Sequence, residues 1–180
     1  SDIAAALGIE NALAELLVQR GVSSFDEAKA FFRPDLSQLH DPFLLNDMDN
    51  AIKRIAEARE KNEKIMVYGD YDVDGTTAVS LVYSFLKENG FEHLDYYIPD
   101  RYSEGYGISF KGIDVAHENN FALIIALDCG IKSVDKVKYA SERGIDFIIC
   151  DHHRPGDELP PAVAVLDAKR ADSTYPFDEL

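Results

Sequence analysis

The sequence has few cysteines, no long apolar stretch and a shortage of basic residues, and each shortage excludes something. Two cysteines without a signal peptide give no disulfide framework, so we expect a cytoplasmic protein. Residues 1–7 lack the basic start and long apolar stretch that a signal peptide has. The apolar runs, such as residues 121–127, are far too short to span a membrane, so we expect no membrane partner.

The shortage of basic residues argues against one class of partner. Lys and Arg total 18 against 33 Asp and Glu, which gives a net charge of −15. Because proteins that bind nucleic acid usually carry a basic surface, composition alone argues against a DNA partner. Most of these carboxylates are expected on a solvated surface. Carboxylates that bind divalent cations would instead reverse the local sign of charge where a substrate sits.

The first 62 residues are helical in pattern and show no chemistry, so we interpret residues 1–62 as an N-terminal helical region. One helical pattern ends at Gly21, and a serine at position 23 or 24 can cap a second helix that Pro34 stops. A third helix is predicted over residues 47–61.

The pattern of apolar residues changes at residue 63, and residues 63–180 predict an α/β domain with a mostly parallel sheet and flanking helices. Short apolar runs alternate with helix-like stretches, such as 77–89 and 133–143, which is typical of βαβ units. The predicted strands are 65–68, 94–98, 122–127 and 147–150, with a fifth at 164–166.

A polar cluster follows each of the first four predicted strands. The clusters contain Asp70, Asp72 and Asp74, then Asp100 and Arg101, then Asp128, and finally Asp151, His152 and His153. The strand order cannot be read from the sequence, but parallel strands place all these ends at one edge, where ligands bind. We therefore expect Asp72, Asp128 and His152 to converge on a common point. Carboxylates and imidazoles together suit Mn²⁺, Mg²⁺, Zn²⁺ or Fe²⁺.

The alternation of Asp70, Asp72 and Asp74 also matches the start of a calcium-binding EF-hand loop. That loop needs a glutamate at its twelfth position, which is Leu81 here, and it follows a helix rather than a strand. We prefer an extended segment with all three carboxylates turned the same way. Gly75 then lets the backbone enter a helix whose N–H groups could hold a phosphate.

The other polar segments have ordinary explanations beside functional ones. The loop 99–107 is either a plain connection or a site where Arg101 binds a phosphate and Tyr102 or Tyr106 stacks on a base. Adjacent histidines at a strand end need partners, which favours a metal site. Cys129 and Cys150 adjoin these clusters and are expected to be small buried residues.

Four segments together resemble the DHH phosphoesterases, and most closely their RecJ branch. They are Val-Tyr-Gly-Asp-Tyr-Asp-Val-Asp-Gly at 67–75, Ile-Pro-Asp-Arg-Tyr-Ser-Glu-Gly-Tyr-Gly at 98–107, Leu-Asp-Cys-Gly-Ile at 127–131 and Asp-His-His at 151–153. Segments 20–21, 31–34, 41–48 and 175–177 extend the resemblance over nearly the whole chain.

The resemblance implies a 5′→3′ exonuclease on single-stranded DNA that acts in DNA repair and recombination with Mn²⁺ or Mg²⁺. It implies a two-metal site in the full-length protein, and single-strand-binding protein and a helicase as the parent protein's further partners. The implied metal ligands are Asp72, Asp74, Asp128 and His152, with Asp70 and His153 as further ligands or as neighbours that support the ligands. The implied catalytic residues are Asp74, Asp151 and His153, and the implied substrate-binding residues are Arg101, Tyr102, Glu104, Tyr106, Gly75 and Thr76.

The sequence departs from the family pattern in two places, and the second affects the activity that we expect. Asp167-Ala168 stands where the family often has Asn-Pro. RecJ proteins continue beyond a point equivalent to Leu180 with a further ligand aspartate, a DHH-associated domain and an OB domain. We therefore expect a catalytic fragment whose DHH domain is incomplete and which is weakly active or inactive alone.

Three alternatives remain open at this stage. The same chemistry serves pyrophosphatases and phosphodiesterases that act on short oligonucleotides or cyclic dinucleotides. A non-catalytic replication scaffold with a decayed DHH fold would have lost ligands, yet every motif residue in the chain is intact.

Overall fold

The computed structural model describes residues 2–177 and divides at residue 41 into two units, each described by itself. The first unit contains helices α1 (Asp2–Leu7), α2 (Asn11–Gln19) and α3 (Phe25–Phe32) and a short 3-10 helix (Leu36–Gln38). Six small or aliphatic side chains form its core: Ile3, Ala4, Ala14, Leu17, Val22 and Ala28.

The single helix expected up to Gly21 is wrong, because the chain breaks between α1 and α2. Gly8 has φ of +66°, a left-handed conformation that favours glycine and ends a helix. The expected cap of the next helix is confirmed: Ser24 Oγ accepts a hydrogen bond from Glu27 N–H (3.2 Å). Glu27 Oε2 accepts one from Ser24 N–H in return (2.9 Å), which closes a capping box.

The second unit is an α/β fold built on a five-stranded, all-parallel sheet in the order β2-β1-β3-β4-β5. The expected fold class is thus confirmed, and every predicted strand is present with its ends within one residue of the prediction. In chain order the elements are a 3-10 helix (Pro42–Leu44), α4 (Met48–Glu60), β1 (Lys64–Gly69), α5 (Val73–Glu88), β2 (Leu94–Tyr97), α6 (Phe110–Glu118), β3 (Phe121–Leu127), α7 (Val134–Ser141), β4 (Asp146–Cys150) and β5 (Ala164–Leu166).

Helices cover both faces of the sheet, which explains why its central strands read as unbroken apolar runs. Successive side chains of a strand point to opposite faces. Ile65 and Val67 of β1 pack with residues of α4 and α5. Met66 and Tyr68 pack on the other face with residues of α6 and α7.

Helix α4 contributes to this sheet unit although the sequence placed it in the N-terminal region. Ala51 and Ala58 lie in the core beneath the sheet. The Arg54 guanidinium lies 2.6 Å from Asp146 at the start of β4 and 2.7 Å from Glu63. The expected boundary at residue 62 stays a prediction.

Helix α5 begins four residues earlier than the pattern at 77–89 suggested, so the extended run of three aspartates is wrong. Asp72 has extended backbone angles and its Oδ1 accepts a hydrogen bond from Gly75 N–H (2.9 Å), which makes it the N-cap. Asp74 lies in the first turn of the helix. Between residues 2 and 177, no helix has the length and apolar character needed to cross a membrane.

Candidate metal centre

The strand order creates a switch point between β1 and β3. The chain leaves β1 toward β2 on one side of the sheet, whereas it leaves β3 toward β4 on the other. Asp70 follows β1 directly, and Asp128 follows β3 directly. In open parallel sheets the crevice at such a point, beyond the carboxyl ends of the strands, is where ligands bind.

Asp70 is fully buried at this switch point, and only one of its oxygens has a protein partner. Its Oδ1 accepts a hydrogen bond from Gly107 N–H (3.1 Å). Its Oδ2 is buried without any hydrogen-bond partner in the structure. Burying a carboxylate oxygen without a hydrogen bond costs free energy of folding. The unpaired Oδ2 of Asp70 therefore indicates a partner from outside the protein, such as a bound cation.

Asp128, His152 and His153 form the group whose ligand atoms lie close enough for one ion. One ligand atom from each lies within 4.8 Å of the others, and His152 Nε2 is 3.0 Å from Asp128 Oδ1. Asp128 has a left-handed backbone (φ 59°), a strained conformation that is common at functional sites. Burial, followed by the negative charge of Asp72, raises the pKa of Asp128 above its ordinary value.

Asp151 holds the two histidines in place through hydrogen bonds. Its carboxylate is almost fully buried and accepts hydrogen bonds from Ile131 N–H (2.9 Å) and His152 N–H (2.7 Å). His153 Nδ1 lies 2.7 Å from Asp151 Oδ1. Although burial opposes it, these bonds hold the pKa of Asp151 below its usual range. A carboxylate on Nδ1 fixes the tautomer and leaves Nε2 of His153 to act as a ligand.

Three expected ligands are not in this three-residue group: Asp70, described above, and Asp72 and Asp74. Asp72 is instead the exposed N-cap of α5, and His153 takes the place in the group that we had assigned to Asp72. Asp74 is also exposed, and it lines an open groove together with Asp128 and His152. The earlier start of α5 explains the difference, since helical geometry turns Asp72 and Asp74 to different sides.

The loop after β2 brings aromatic side chains to the same edge. Arg101 lies over the Tyr71 ring at 5.0 Å from its centroid, and Tyr71 meets Tyr106 edge to face. The Tyr106 hydroxyl lies 3.1 Å from His153 Nε2. Tyr102 is 96% exposed.

Three expected substrate-binding residues are engaged within the protein. The N–H of Gly75 donates to Asp72 Oδ1, and the hydroxyl of Thr76 donates to the Asp72 carbonyl (2.6 Å). The Glu104 side chain is buried inside the loop. The two cysteines are free, and burial raises the pKa of the Cys129 thiol well above its usual range, as expected of a small buried residue.

Sequence reasoning missed Tyr71, the backbone of Gly107 and Lys169. Lys169 Nζ donates to the His152 carbonyl (2.6 Å) and so fixes the histidine pair from the segment after β5. The position of Tyr71 between two aspartates of the first motif was a usable signal. No local pattern marks Lys169, because its partner is distant in sequence.

Comparisons with known proteins match the segment that carries these residues. Residues 64–174 match the DHH family, N-terminal domain. The single-stranded-DNA-specific exonuclease RecJ of Bacillus subtilis is 42% identical over 174 residues, 97% of this chain and 22% of that protein. RecJ of Haemophilus influenzae is 33% identical over 81% of this chain and 25% of its own length.

A solved structure of RecJ in complex with Mn²⁺ from Thermus thermophilus superposes with a TM-score of 0.67 at 27% identity. It covers 91% of this chain and 22% of that chain. The chain therefore spans a quarter or less of the length of these three relatives. The family model covers more than half of the chain, including every residue of the switch-point site, and on this ground the chain belongs to the DHH family.

Proposed function

We propose that this chain carries the metal-dependent catalytic centre of a 5′→3′ exonuclease that acts on single-stranded DNA with Mn²⁺ or Mg²⁺. The observation that carries the proposal is the cluster at the switch point, where Asp128, His152 and His153 converge beside a buried Asp70 oxygen without a partner. The printed names of the relatives supply the substrate, and the Thermus thermophilus structure supplies Mn²⁺.

The residues present fit a divalent cation. Imidazole nitrogens and carboxylate oxygens together suit Mn²⁺, and the unpaired Asp70 Oδ2 would gain a partner. Asp128, His152 and His153 would hold one ion, and Asp70, Asp72 and Asp74 are proposed as the further carboxylate ligands of a two-metal centre. Bound there, such ions supply an activated water and stabilise charge on the phosphate.

The other site residues orient the reacting groups. Asp151 holds His153 in one tautomer, and Lys169 holds the backbone of His152. Arg101, paired with the Tyr71 ring, is placed to bind a phosphate at the same edge, and the half-exposed Tyr106 offers a surface for a base. Because the net charge is −15, we propose that bound cations provide the local positive charge that a DNA strand requires.

The longer protein's role belongs to the same proposal. Repair and recombination, together with single-strand-binding protein and a helicase as partners, follow from the family resemblance. The cytoplasm fits a chain whose two cysteines are both free.

The test has two parts, since this chain spans only part of its relatives. Titration calorimetry with Mn²⁺ on the 180-residue chain should show binding that Asp128→Asn weakens and the exposed control Asp157→Asn does not. For activity, the chain replaces the matching segment of the Bacillus subtilis relative. That chimera should release nucleotides from 5′-labelled single strands with Mn²⁺.

Different results would point to different functions. Preference for a cyclic dinucleotide, or for the 3′ end, would replace the proposed substrate or polarity. Mn²⁺ binding without any hydrolysis would favour the non-catalytic scaffold.

A further inference from the structure

The loop between β2 and α6 is built around one buried carboxylate. Only 3% of the Glu104 side chain is exposed, although it lies in a connecting loop. Its Oε2 accepts hydrogen bonds from the Tyr97 hydroxyl (2.8 Å) and the Ser109 hydroxyl (2.6 Å). Its Oε1 accepts one from Asp100 N–H (2.9 Å) and lies 3.5 Å from the Lys111 ammonium.

All four partners of Glu104 are hydrogen-bond donors. A carboxylate has two oxygens that only accept, so it is the side chain of this length that satisfies all four donors. Both oxygens are therefore occupied inside the protein. This arrangement does not suit the direct contact with substrate that the family resemblance implied for Glu104.

A short chain of hydrogen bonds connects this carboxylate to the metal centre. Ser109, bound to Glu104, donates its N–H to the Tyr68 hydroxyl (3.0 Å). Tyr68, fully buried at the end of β1, donates that hydroxyl to the Gly107 carbonyl (3.0 Å). Gly107 in turn donates its N–H to Asp70 Oδ1 (3.1 Å).

Gly107 thus determines which oxygen of Asp70 stays available. Its N–H occupies Oδ1, so that Oδ2 is the buried oxygen without a protein partner. Gly107 needs support for this role because glycine has wide backbone freedom, and holding it in one conformation (φ 76°) within a loop costs entropy. The bonds through Ser109 and Tyr68 supply that support.

We propose that Glu104 is a positioning residue of the metal centre, which acts through Ser109, Tyr68 and Gly107 to orient the Asp70 carboxylate. The inference deepens the proposed function and rests on it. Glu104 contacts neither metal nor substrate in this role. Its loss therefore changes metal affinity by releasing Asp70, while the ligands themselves are unchanged.

Glu104→Gln tests this role because glutamine keeps the size but has one acceptor oxygen. If its NH₂ group faces the Asp100 N–H and the Lys111 ammonium, donors meet donors. If it faces the Tyr97 and Ser109 hydroxyls, both must reverse and accept, so their protons lose the acceptor that Glu104 supplied. The negative charge beside Lys111 is lost in both orientations. We expect the Mn²⁺ affinity of the 180-residue chain to fall about tenfold or more, as for other residues that orient metal ligands. Hydrogen exchange at the Gly107 amide, measured by NMR without metal, should accelerate.

Tyr97→Phe is a second variant, which removes one of the four donors and keeps the ring. It should lower the Mn²⁺ affinity and accelerate Gly107 exchange, both by less than Glu104→Gln does. If Glu104→Gln does not fold, Tyr97→Phe alone tests the positioning role. Tyr139→Phe is the matched control, because it removes another phenol-to-carboxylate hydrogen bond, to Asp114 (2.7 Å), on α6 and α7. It should leave Mn²⁺ affinity and Gly107 exchange unchanged.

The outcomes separate the two proposals. If wild type binds Mn²⁺ and folded Glu104→Gln or Tyr97→Phe binds it equally well with Gly107 still protected, the positioning role is wrong. If wild type binds no Mn²⁺, the proposed function fails, and Gly107 exchange alone then decides whether Glu104 orients Asp70.

Discussion

At the scale of single residues, two buried aspartates each have a carboxylate oxygen without a partner, and we expect different consequences for them. Asp70 and Asp167 each have an Oδ2 atom that is buried without a hydrogen-bond partner. For Asp70 we propose that a metal ion supplies the missing partner. Asp167 is 2% exposed, its Oδ1 accepts from Lys169 N–H (2.7 Å), and burial raises its pKa. An ionised Asp167 is therefore a cost to the fold.

Asp167→Asn should remove that cost. Because the folded-state pKa is raised above the unfolded value, Asp167 contributes stability at low pH that is lost as pH rises through its folded pKa. Asparagine stays neutral, so the variant should be at least as stable as wild type at pH 7, with the advantage shrinking toward pH 4. Urea unfolding with a chelator, beside Asp157→Asn, measures this, and a less stable variant at pH 7 would contradict it.

Gly75 tests how tightly α5 packs against the site. A Cβ at Gly75 would lie 2.4 Å from the Asp70 carbonyl oxygen, and backbone atoms cannot move aside cheaply. Alanine gains about 1 kcal/mol in helix propensity, but overpacking typically costs about 1–3 kcal/mol and is severe here. We expect Gly75→Ala to lower the free energy of unfolding by about 1–2 kcal/mol. Gly156→Ala, with only a distant neighbour at 4.0 Å, is the control and should be neutral.

Asp128 can be changed without disturbing its backbone. Asparagine tolerates the left-handed conformation (φ 59°) almost as well as aspartate, so Asp128→Asn removes the charge and keeps the fold. Mn²⁺ at about a hundred times its dissociation constant should stabilise wild type by about 2.7 kcal/mol. Thermal melts with and without Mn²⁺ should show a rise for wild type and little or none for Asp128→Asn. Equal rises in both proteins would remove Asp128 from the site.

At the scale of elements, Asp72 combines two roles that substitution can separate. As the N-cap of α5 it accepts a hydrogen bond from Gly75 N–H, and asparagine caps a helix equally well. Asp72→Ala should cost about 1 kcal/mol in unfolding free energy, whereas Asp72→Asn should cost almost nothing. If Asp72 is also a ligand, both variants should lose Mn²⁺ affinity in calorimetry. A stable Asp72→Ala would show that the cap contributes little.

The strands were predictable because a strand that is buried on both faces consists of consecutive apolar residues, as in residues 65–68. The start of α5 was not predictable in the same way. The sequence around Asp72 and Asp74 is compatible with an extended segment as well as with the first turn of a helix. The polar ends of the strands predicted that Asp128 and His152 meet, but not that His153 rather than Asp72 completes the group. Their partners, such as Gly107 for Asp70, depend on the path of a loop that no local pattern specifies.

At the scale of the whole molecule, two truncations test where the sheet unit begins. The unit from Pro42 onward has its own core, to which α4 contributes Ala51 and Ala58. A fragment of residues 42–180 should therefore unfold cooperatively and keep its Mn²⁺ stabilisation. Residues 63–180 alone would expose the sheet face under α4 and lose Arg54, the partner of Asp146. Circular dichroism melts should show a weak, broad transition, and a cooperative one would restore the boundary at residue 62.

The sheet order also determines when the site can exist during synthesis. A ribosome delivers Asp70 first, Asp128 later and His152 and His153 last, since β1, β3 and β4 come in that sequence. At about 5–20 residues per second, the first carboxylate waits roughly ten seconds for the histidines. A nascent chain interrupted before β4 therefore carries Asp70 and Asp128 but lacks His152 and His153, so the proposed metal centre is still incomplete.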